Sequence, residues 1–240
     1  MKEKPYLSII VPIYNESNRL DNLSTIASYL KKLKVKTELI VVNDGSNDST
    51  KNILDDLRKK LKFKIISYKE NKGKGYAVKI GMLKAQGKLR LFTDIDLSVP
   101  IEECSKLMKF AEFNQVVIGS RRVAKSKIIL HQPIIRELMG RFFTFLSQKT
   151  LSLEISDFTC GFKMFREKAA GKIFQKSRIN RWGFDSEILF IANKLEHKIY
   201  EAPISWSHNI NTKVKFPEDI IRSLIDLILI RFNSLRGIYR

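Results

Sequence analysis

Leu89-Arg90-Leu91-Phe92-Thr93-Asp94-Ile95-Asp96-Leu97-Ser98-Val99-Pro100 decides the fold of this chain. An apolar run ends in two carboxylates one residue apart, and Pro100 stops its continuation. The stretch reads as a buried strand that delivers acid to its C-terminal end. In open α/β sheets, ligands bind in the crevice beyond those ends. Aspartates at i and i+2 repel one another unless a cation lies beside them. An oxygen-only pair suits Mg²⁺ or Mn²⁺, which keep several waters and bind phosphates as well. Aspartate is also a common turn and helix-cap residue, so the metal reading depends on what surrounds the pair.

Strands and helices alternate on the N-terminal side of this stretch. Leu7 to Val11 is a β-branched run ended by Pro12, and Glu38 to Val42 is a second strand closed by Asn43-Asp44-Gly45-Ser46. Phe63 to Tyr68 is a third. Between them, Leu20, Leu23, Ile26, Ala27, Leu30 and Leu33, then Ile53, Leu54, Leu57 and Leu61, recur at helical spacing. Asn71-Lys72-Gly73-Lys74-Gly75 opens a further helix towards Ala85. Short connections of this kind argue for βαβ units and a mostly parallel sheet covered on both faces. A helix near Glu102 to Phe113 and a strand at Val116 to Ile118 continue the pattern.

After Ser120 the rhythm changes. A basic loop, Arg121 to Lys127, leads to an amphipathic segment from about Ile134 to Leu153. Asp157 to Phe162 enters a short strand, Phe184 to Leu195 is helical, and Ile199 to Trp206 is a strand broken at Pro203. A C-terminal helix begins at or after Pro217 and reaches about Phe232. Without repeats or a linker, a single domain over 1–240 is expected. Its nucleotide-binding half covers about 1–120, and an acceptor- and membrane-facing half about 121–240.

Net charge is +19, from 44 Lys+Arg against 25 Asp+Glu in 240 residues, while the apolar content of 44% is ordinary. Such a field attracts nucleotides, nucleic acid or an acidic membrane surface. A basic nucleic-acid-binding protein is the non-enzyme alternative, but no helix-turn-helix, zinc-finger or RNP pattern supports it, and nucleic acid is not an expected partner. Cys104 and Cys160 are too far apart in sequence for a metal motif and point to a reducing, cytoplasmic compartment. The N-terminus lacks the pattern of a signal peptide. No uncharged apolar run approaches the ~20 residues that span a bilayer. His131, His197 and His208 are too scattered in sequence to suggest a site.

Three expected strand ends carry acids or aromatics to one edge: Tyr14 and Glu16, Asp44, and the pair Asp94 and Asp96. The loop after the first strand has neither a dinucleotide-binding glycine fingerprint nor a P-loop lysine. Tyr14 and Glu16 offer instead a stacking face and an acceptor for a base or ribose. The two glycines and two lysines of 71–75 precede a helix, where backbone amides and the dipole favour an anion such as a diphosphate.

Four motifs, Val11-Pro12-Ile13-Tyr14-Asn15-Glu16, Val42-Asn43-Asp44-Gly45-Ser46, Asn71 to Gly75, and Thr93-Asp94-Ile95-Asp96, resemble the inverting family-two glycosyltransferases of the GT-A fold. Gly119-Ser120-Arg121, Asp157 to Lys163, Arg181 to Glu187, and Trp206 onward to Lys213-Val214 extend the likeness to the polyprenyl-phosphate glycosyltransferases. Within these, the Asn71 to Gly75 run, Trp182 to Glu187 and Asp226-Leu227-Ile228-Leu229-Ile230-Arg231 resemble the dolichyl-phosphate β-glucosyltransferases and, after them, the dolichyl-phosphate mannose synthases. The resemblance implies an α/β GT-A sheet flanked by helices, with C-terminal amphipathic helices. It implies donor binding by Pro12, Tyr14, Glu16, Asp44 and Lys74, and a metal held by the catalytic pair Asp94 and Asp96. Ser98 stands where mannose synthases often carry a glutamine as a further ligand.

The resemblance also supplies an acceptor. A lipid monophosphate has a second pKa of about 6, so it is already an oxyanion at neutral pH and needs cations rather than a base. Arg121 and Arg136, with Arg141, are assigned to that phosphate. The implied reaction is glucose transfer from UDP-glucose to a polyprenyl phosphate, by a protein peripheral on the inner face of a membrane. Mannose transfer from GDP-mannose is the neighbouring alternative. A saccharide hydroxyl acceptor would need a general base, for which Asp185 and Glu187 are the candidates.

Overall fold

A computed structural model describes residues 4–209 and 218–240. The expectations placed on Lys213, Val214 and Pro217 lie outside the described residues. Strands β1 (Leu7–Ile13), β2 (Thr37–Asp44), β3 (Lys64–Tyr68) and β4 (Leu89–Thr93) run parallel. They are joined by α1 (Asn22–Lys32), α2 (Thr50–Lys60) and α3 (Lys74–Lys84). Helix α4 (Glu103–Phe110) leads to β5 (Val116–Ser120). In the second half come β6 (Lys127–Leu130), α5 (Ile134–Leu151), β7 (Phe162–Arg166), α6 (Glu167–Lys176), α7 (Phe184–Lys194), β8 (Ile199–Pro203), β9 (Ser205–Ser207) and α8 (Glu218–Leu235).

The main sheet has the order β3-β2-β1-β4-β7-β5-β8, and β6 pairs with β9 in a second, two-stranded sheet. The chain winds outward from β1 to β3 and then returns to place β4 on the other side of β1. That reversal between β1 and β4 creates the crevice where open α/β sheets bind ligands. Strand β7 enters antiparallel between β4 and β5, with Phe162 opposite Thr93. The segment just before β7 therefore lies beside the acidic end of β4.

Alternation along β1 explains the layers. Ile9 and Val11 pack with Leu23, Ile26, Leu54 and Leu107 of α1, α2 and α4. Ile10 faces the opposite side, with Val78 and Met82 of α3 and with the buried faces of α6 and α7. Both faces are covered, so all seven residues of β1 are buried and the strand is apolar but for Ser8, whose hydroxyl bonds Glu38. The sheet is mixed rather than wholly parallel, β6 and α6 add to the elements anticipated from sequence, and the strand expected over Ile199 to Trp206 divides after Pro203 into β8 and β9.

Candidate active site

The C-terminal ends of β1, β2 and β4 open into one cavity of about 1320 Å³. It is lined by Pro12, Tyr14, Glu16, Asp44, Lys74, Asp94 and Asp96, and the segments bearing Arg121, Arg136 and Asp185 close its other side. The edge inferred from three strand ends is thus a real enclosure.

Asp94 leaves β4 with its carboxylate held by Lys74, whose Nζ lies 2.7 Å from Oδ1 and 2.9 Å from Oδ2. Gly161, next to β7, makes room for this: a Cβ there would overlap Asp94 Oδ2. Asp96 accepts a bond from Ser98 N–H, 3.0 Å away, in a turn completed by Leu97 at φ +50°. Burial and the neighbouring Asp94 charge both raise the Asp96 carboxyl above its ordinary range. A cation beside the pair would reverse that second effect. Burial alone would lower Lys74, but Asp94, Asp185 and Asp96 outweigh it and hold the ammonium charged. Lys74 also sits 5.5 Å above the Trp182 ring.

Asp44 positions the loop that carries Lys74. Its Oδ1 accepts from Lys72 N–H and its Oδ2 from Gly73 N–H and the Asn71 amide, each at 2.8 Å. Gly73 caps α3 at φ +103°, a conformation that glycine adopts without strain. A carboxylate has about four acceptor positions, so Asp44 is largely engaged by this loop, and a nucleobase could use only what remains. The loops after β1 and β2 are stitched together as well. Asn15 N–H donates to Ser46 Oγ and Glu16 N–H to Thr50 Oγ1, both at 2.9 Å.

Arg121 lies in the cavity with its charge already paired. Nε and Nη2 each donate to the Asp157 carboxylate at 2.7 Å, Nη2 also reaches Thr159, and the guanidinium stacks 5.3 Å from Trp206. Burial would push Asp157 up, yet Arg121 holds it down to about 2. Arg122 also lines the cavity. It donates to Thr144 Oγ1 at 2.5 Å and the Ser156 carbonyl at 3.1 Å. Burial lowers it below the usual arginine range, with Asp157 acting against that shift. Arg136 faces the same space from α5.

A glycosyl transferase family 2 model matches residues 8–174. The chain belongs to glycosyl transferase family 2. This family 2 protein is 34% identical over 250 residues to the dolichyl-phosphate beta-glucosyltransferase of Dictyostelium discoideum, covering 98% of this chain and 76% of that one. The Saccharomyces cerevisiae dolichyl-phosphate beta-glucosyltransferase is 34% identical over 260 residues, with 99% and 78% covered. Its Homo sapiens counterpart is 32% identical over 250 residues, with 98% and 77% covered. Among solved structures, glucosyl-3-phosphoglycerate synthase from Mycobacterium tuberculosis, bound to Mn²⁺, UDP and glucosyl-3-phosphoglycerate, superposes with a TM-score of 0.68 at 16% identity. The match covers 94% of this chain and 80% of that one. The α/β architecture is that of the GT-A glycosyltransferases.

Three sequence readings of this family 2 chain need correction. Arg141 points away from the cavity and pairs on the exposed side of α5 with Glu137, 2.8 Å away. Glu187 is fully buried on the far side of α7. It accepts from Arg178 N–H, Ile179 N–H and the Tyr239 hydroxyl, so it cannot act as a base in this cavity. Residues two apart on a helix stand roughly 200° apart, so only one of Asp185 and Glu187 can face it. Asp185 does, but it is paired to the buried Lys163. The third correction concerns His208, which lines the cavity with Trp206 although the histidines are scattered in sequence. Arg181, Trp182 and Arg222 also line it. For Trp182, a tryptophan just before an acid-bearing helix was the available signal.

Among the described residues no group of three or more His, Cys, Asp or Glu side chains gathers as a metal site. The residues present nonetheless fit a divalent cation. Asp94 and Asp96 give two oxygen donors at a polar opening, and Mg²⁺ commonly takes one or two carboxylates and fills its shell with water and substrate phosphates.

Proposed function

We propose that this glycosyltransferase moves glucose from UDP-glucose, with inversion, to a polyprenyl phosphate of the dolichyl type at a membrane surface. The observation that carries the reading is the single cavity joining Asp94 and Asp96 to Arg121, Arg122 and Arg136. It provides a donor pole for a diphosphate and a cationic pole for an acceptor phosphate. The names of the relatives support the acceptor and the sugar. Structures of the Mycobacterium tuberculosis glucosyl-3-phosphoglycerate synthase with UDP and either Mn²⁺ or Mg²⁺ support the donor and the metal.

In this reading Tyr14, Glu16 and the remaining valence of Asp44 hold the nucleoside. Asp94 and Asp96 hold Mg²⁺ or Mn²⁺, which when bound neutralises charge on the leaving diphosphate. Lys74, between the acids and Trp182, turns its ammonium to the same phosphates. Arg136 and Arg122 fix the acceptor phosphate, with Arg121 held in place by Asp157. The acceptor oxygen attacks the anomeric carbon from the face opposite the breaking bond. Because that oxygen is already ionised, no general base is required, consistent with Glu187 facing away and Asp185 being paired.

The membrane contact rests on α5 and α8. Ile134, Ile135, Leu138, Phe142 and Phe145 of α5, and Ile221, Ile225, Ile228 and Phe232 of α8, are all exposed. No described helix is long and apolar enough to cross a membrane, so we place the protein on the surface. Two buried free cysteines favour the cytoplasmic, reducing side. Replacing Asp96 with Ala tests the reading. Metal-dependent transfer from UDP-glucose to polyprenyl phosphate is expected to vanish while the melting temperature stays near the parent's. Undiminished transfer by the variant would reject it.

A further inference from the structure

We propose that the cleft between α8 and the loop preceding α7 binds the headgroup of an anionic phospholipid. The cleft has a volume of about 420 Å³ and adjoins the catalytic cavity, with Arg181 and Arg222 between the two. Arg178, Arg181 and Arg222 surround it, Asp226 is its one acid, and Ile225 and Leu229 form an apolar wall. Among the described residues none of these three guanidinium groups is paired with a carboxylate. The arginine ion pairs among the described residues belong to Arg19, Arg90, Arg121 and Arg141. Among the described residues the Arg178 guanidinium donates to the Gln175 and Ser177 carbonyls alone, at 3.0 and 3.1 Å. Three cations against one acid, in a pocket open to solvent, call for an anion.

The helix that forms one wall shows where that anion comes from. At roughly 100° per residue, Arg222, Asp226, Leu229 and Asn233 make one stripe of α8. Ile221, Ile225, Ile228 and Phe232 make the adjoining stripe and are 54%, 51%, 67% and 53% exposed. Asp219, Ser223, Leu227 and Ile230 form the buried side. An exposed apolar stripe flanked by arginines is how a helix lies in a bilayer interface, with its basic side chains at headgroup level. A soluble anion would explain the arginines but not the apolar stripe beside them.

The catalytic cavity lies on the other flank of α8. It runs between that helix and α5, past Met139, Phe143, Ile220 and Ser223. Arg181 and Arg222 stand on the divide and line both spaces. A headgroup in the cleft would therefore hold α8 at the membrane without occupying the reaction site. This inference rests on the reading that the acceptor is membrane-borne.

Vesicle sedimentation tests it. The full chain is mixed with phosphatidylcholine vesicles, with or without a minor fraction of phosphatidylglycerol. Tighter binding to the anionic vesicles is expected. Arg178→Gln should weaken that binding roughly fivefold, and Arg178→Gln/Arg222→Gln should weaken it by a similar factor again, as for basic side chains at an anionic leaflet. Binding to neutral vesicles should stay the same. Arg178 does not line the catalytic cavity, so Arg178→Gln should keep the parent's transfer rate to a water-soluble short-chain acceptor phosphate. Vesicle binding is read without turnover, so failure of the transfer reading would show separately. Unchanged anionic-vesicle binding by the double variant would overturn the site. So would equal binding of the parent to neutral and anionic vesicles together with an Arg178-dependent thermal shift in inorganic phosphate, which would mark a small-anion pocket.

Discussion

The missing side chain at Gly161 lets Asp94 lie where Lys74 reaches both of its oxygens. Gly161→Ala should swing that flexible carboxylate aside while leaving the sheet intact. We expect transfer to fall about a hundredfold, the effect of displacing a reacting group by about 1 Å, with little change in melting temperature. Steady-state kinetics and thermal melting together check it. Arg121 and Asp157 make a second local prediction. The Asp157 carboxyl is held at about 2 in the folded protein, below its unfolded value of about 4. Its contribution to stability is therefore full above pH ~4 and is lost as pH falls through ~2, a loss of about 2 kcal/mol. In urea titrations across that window, the stability gap between parent and Asp157→Asn should narrow by this amount. A constant gap would mean the pair carries no such linkage. That Tyr14, Glu16, Asp44, Asp94 and Asp96 meet at one edge was legible in sequence, because a strand end is a short-range signal. Asp157 as the partner of Arg121 was not, because thirty-six positions separate them and only the fold sets them together.

On α8, neighbouring residues have opposite environments. Leu227 is 2% exposed and Ile228 is 67% exposed. Leu227→Ala should cost roughly 2–5 kcal/mol, as for other buried leucines. Ile228→Asp and, on α5, Phe142→Asp should change stability by less than about 0.5 kcal/mol and yet weaken binding to vesicles. If either exposed substitution unfolds the protein, the face is packing rather than contact surface. The run Leu227-Ile228-Leu229-Ile230 is apolar all round, so periodicity alone could not divide it into a buried and an open side. Strands β1 to β5 were legible because each carries a compact β-branched or apolar run. β6 was harder: it is only four residues long and finds its partner β9 far away in sequence. Helix α6 emerges only in the structure, although its buried Ala169, Ala170, Ile173 and Phe174 keep helical spacing.

In the molecule as a whole, the least local feature of the sheet governs how the chain can fold. A division near Ser120 looked natural from the change in sequence rhythm, but β7 crosses it. β7 pairs with β4 through Leu89–Thr93 and with β5 through Val116–Ile118. β4 and β5 do not touch without it. A fragment ending at Ser120 would keep β3-β2-β1-β4 and lose the strand that ties β5 to them. It would also uncover one face of Phe92, which packs against Phe165 and Phe184. We therefore propose that the two halves form one folding unit, and that residues 1–120 alone do not reach a native state. Their amide spectrum should be poorly dispersed, and they should unfold without a sharp transition. The full chain should lose near- and far-ultraviolet dichroism at one temperature. A well-dispersed, cooperatively melting fragment would show that the nucleotide-binding half is a domain in its own right, with β7 and β8 added to a sheet that stands without them.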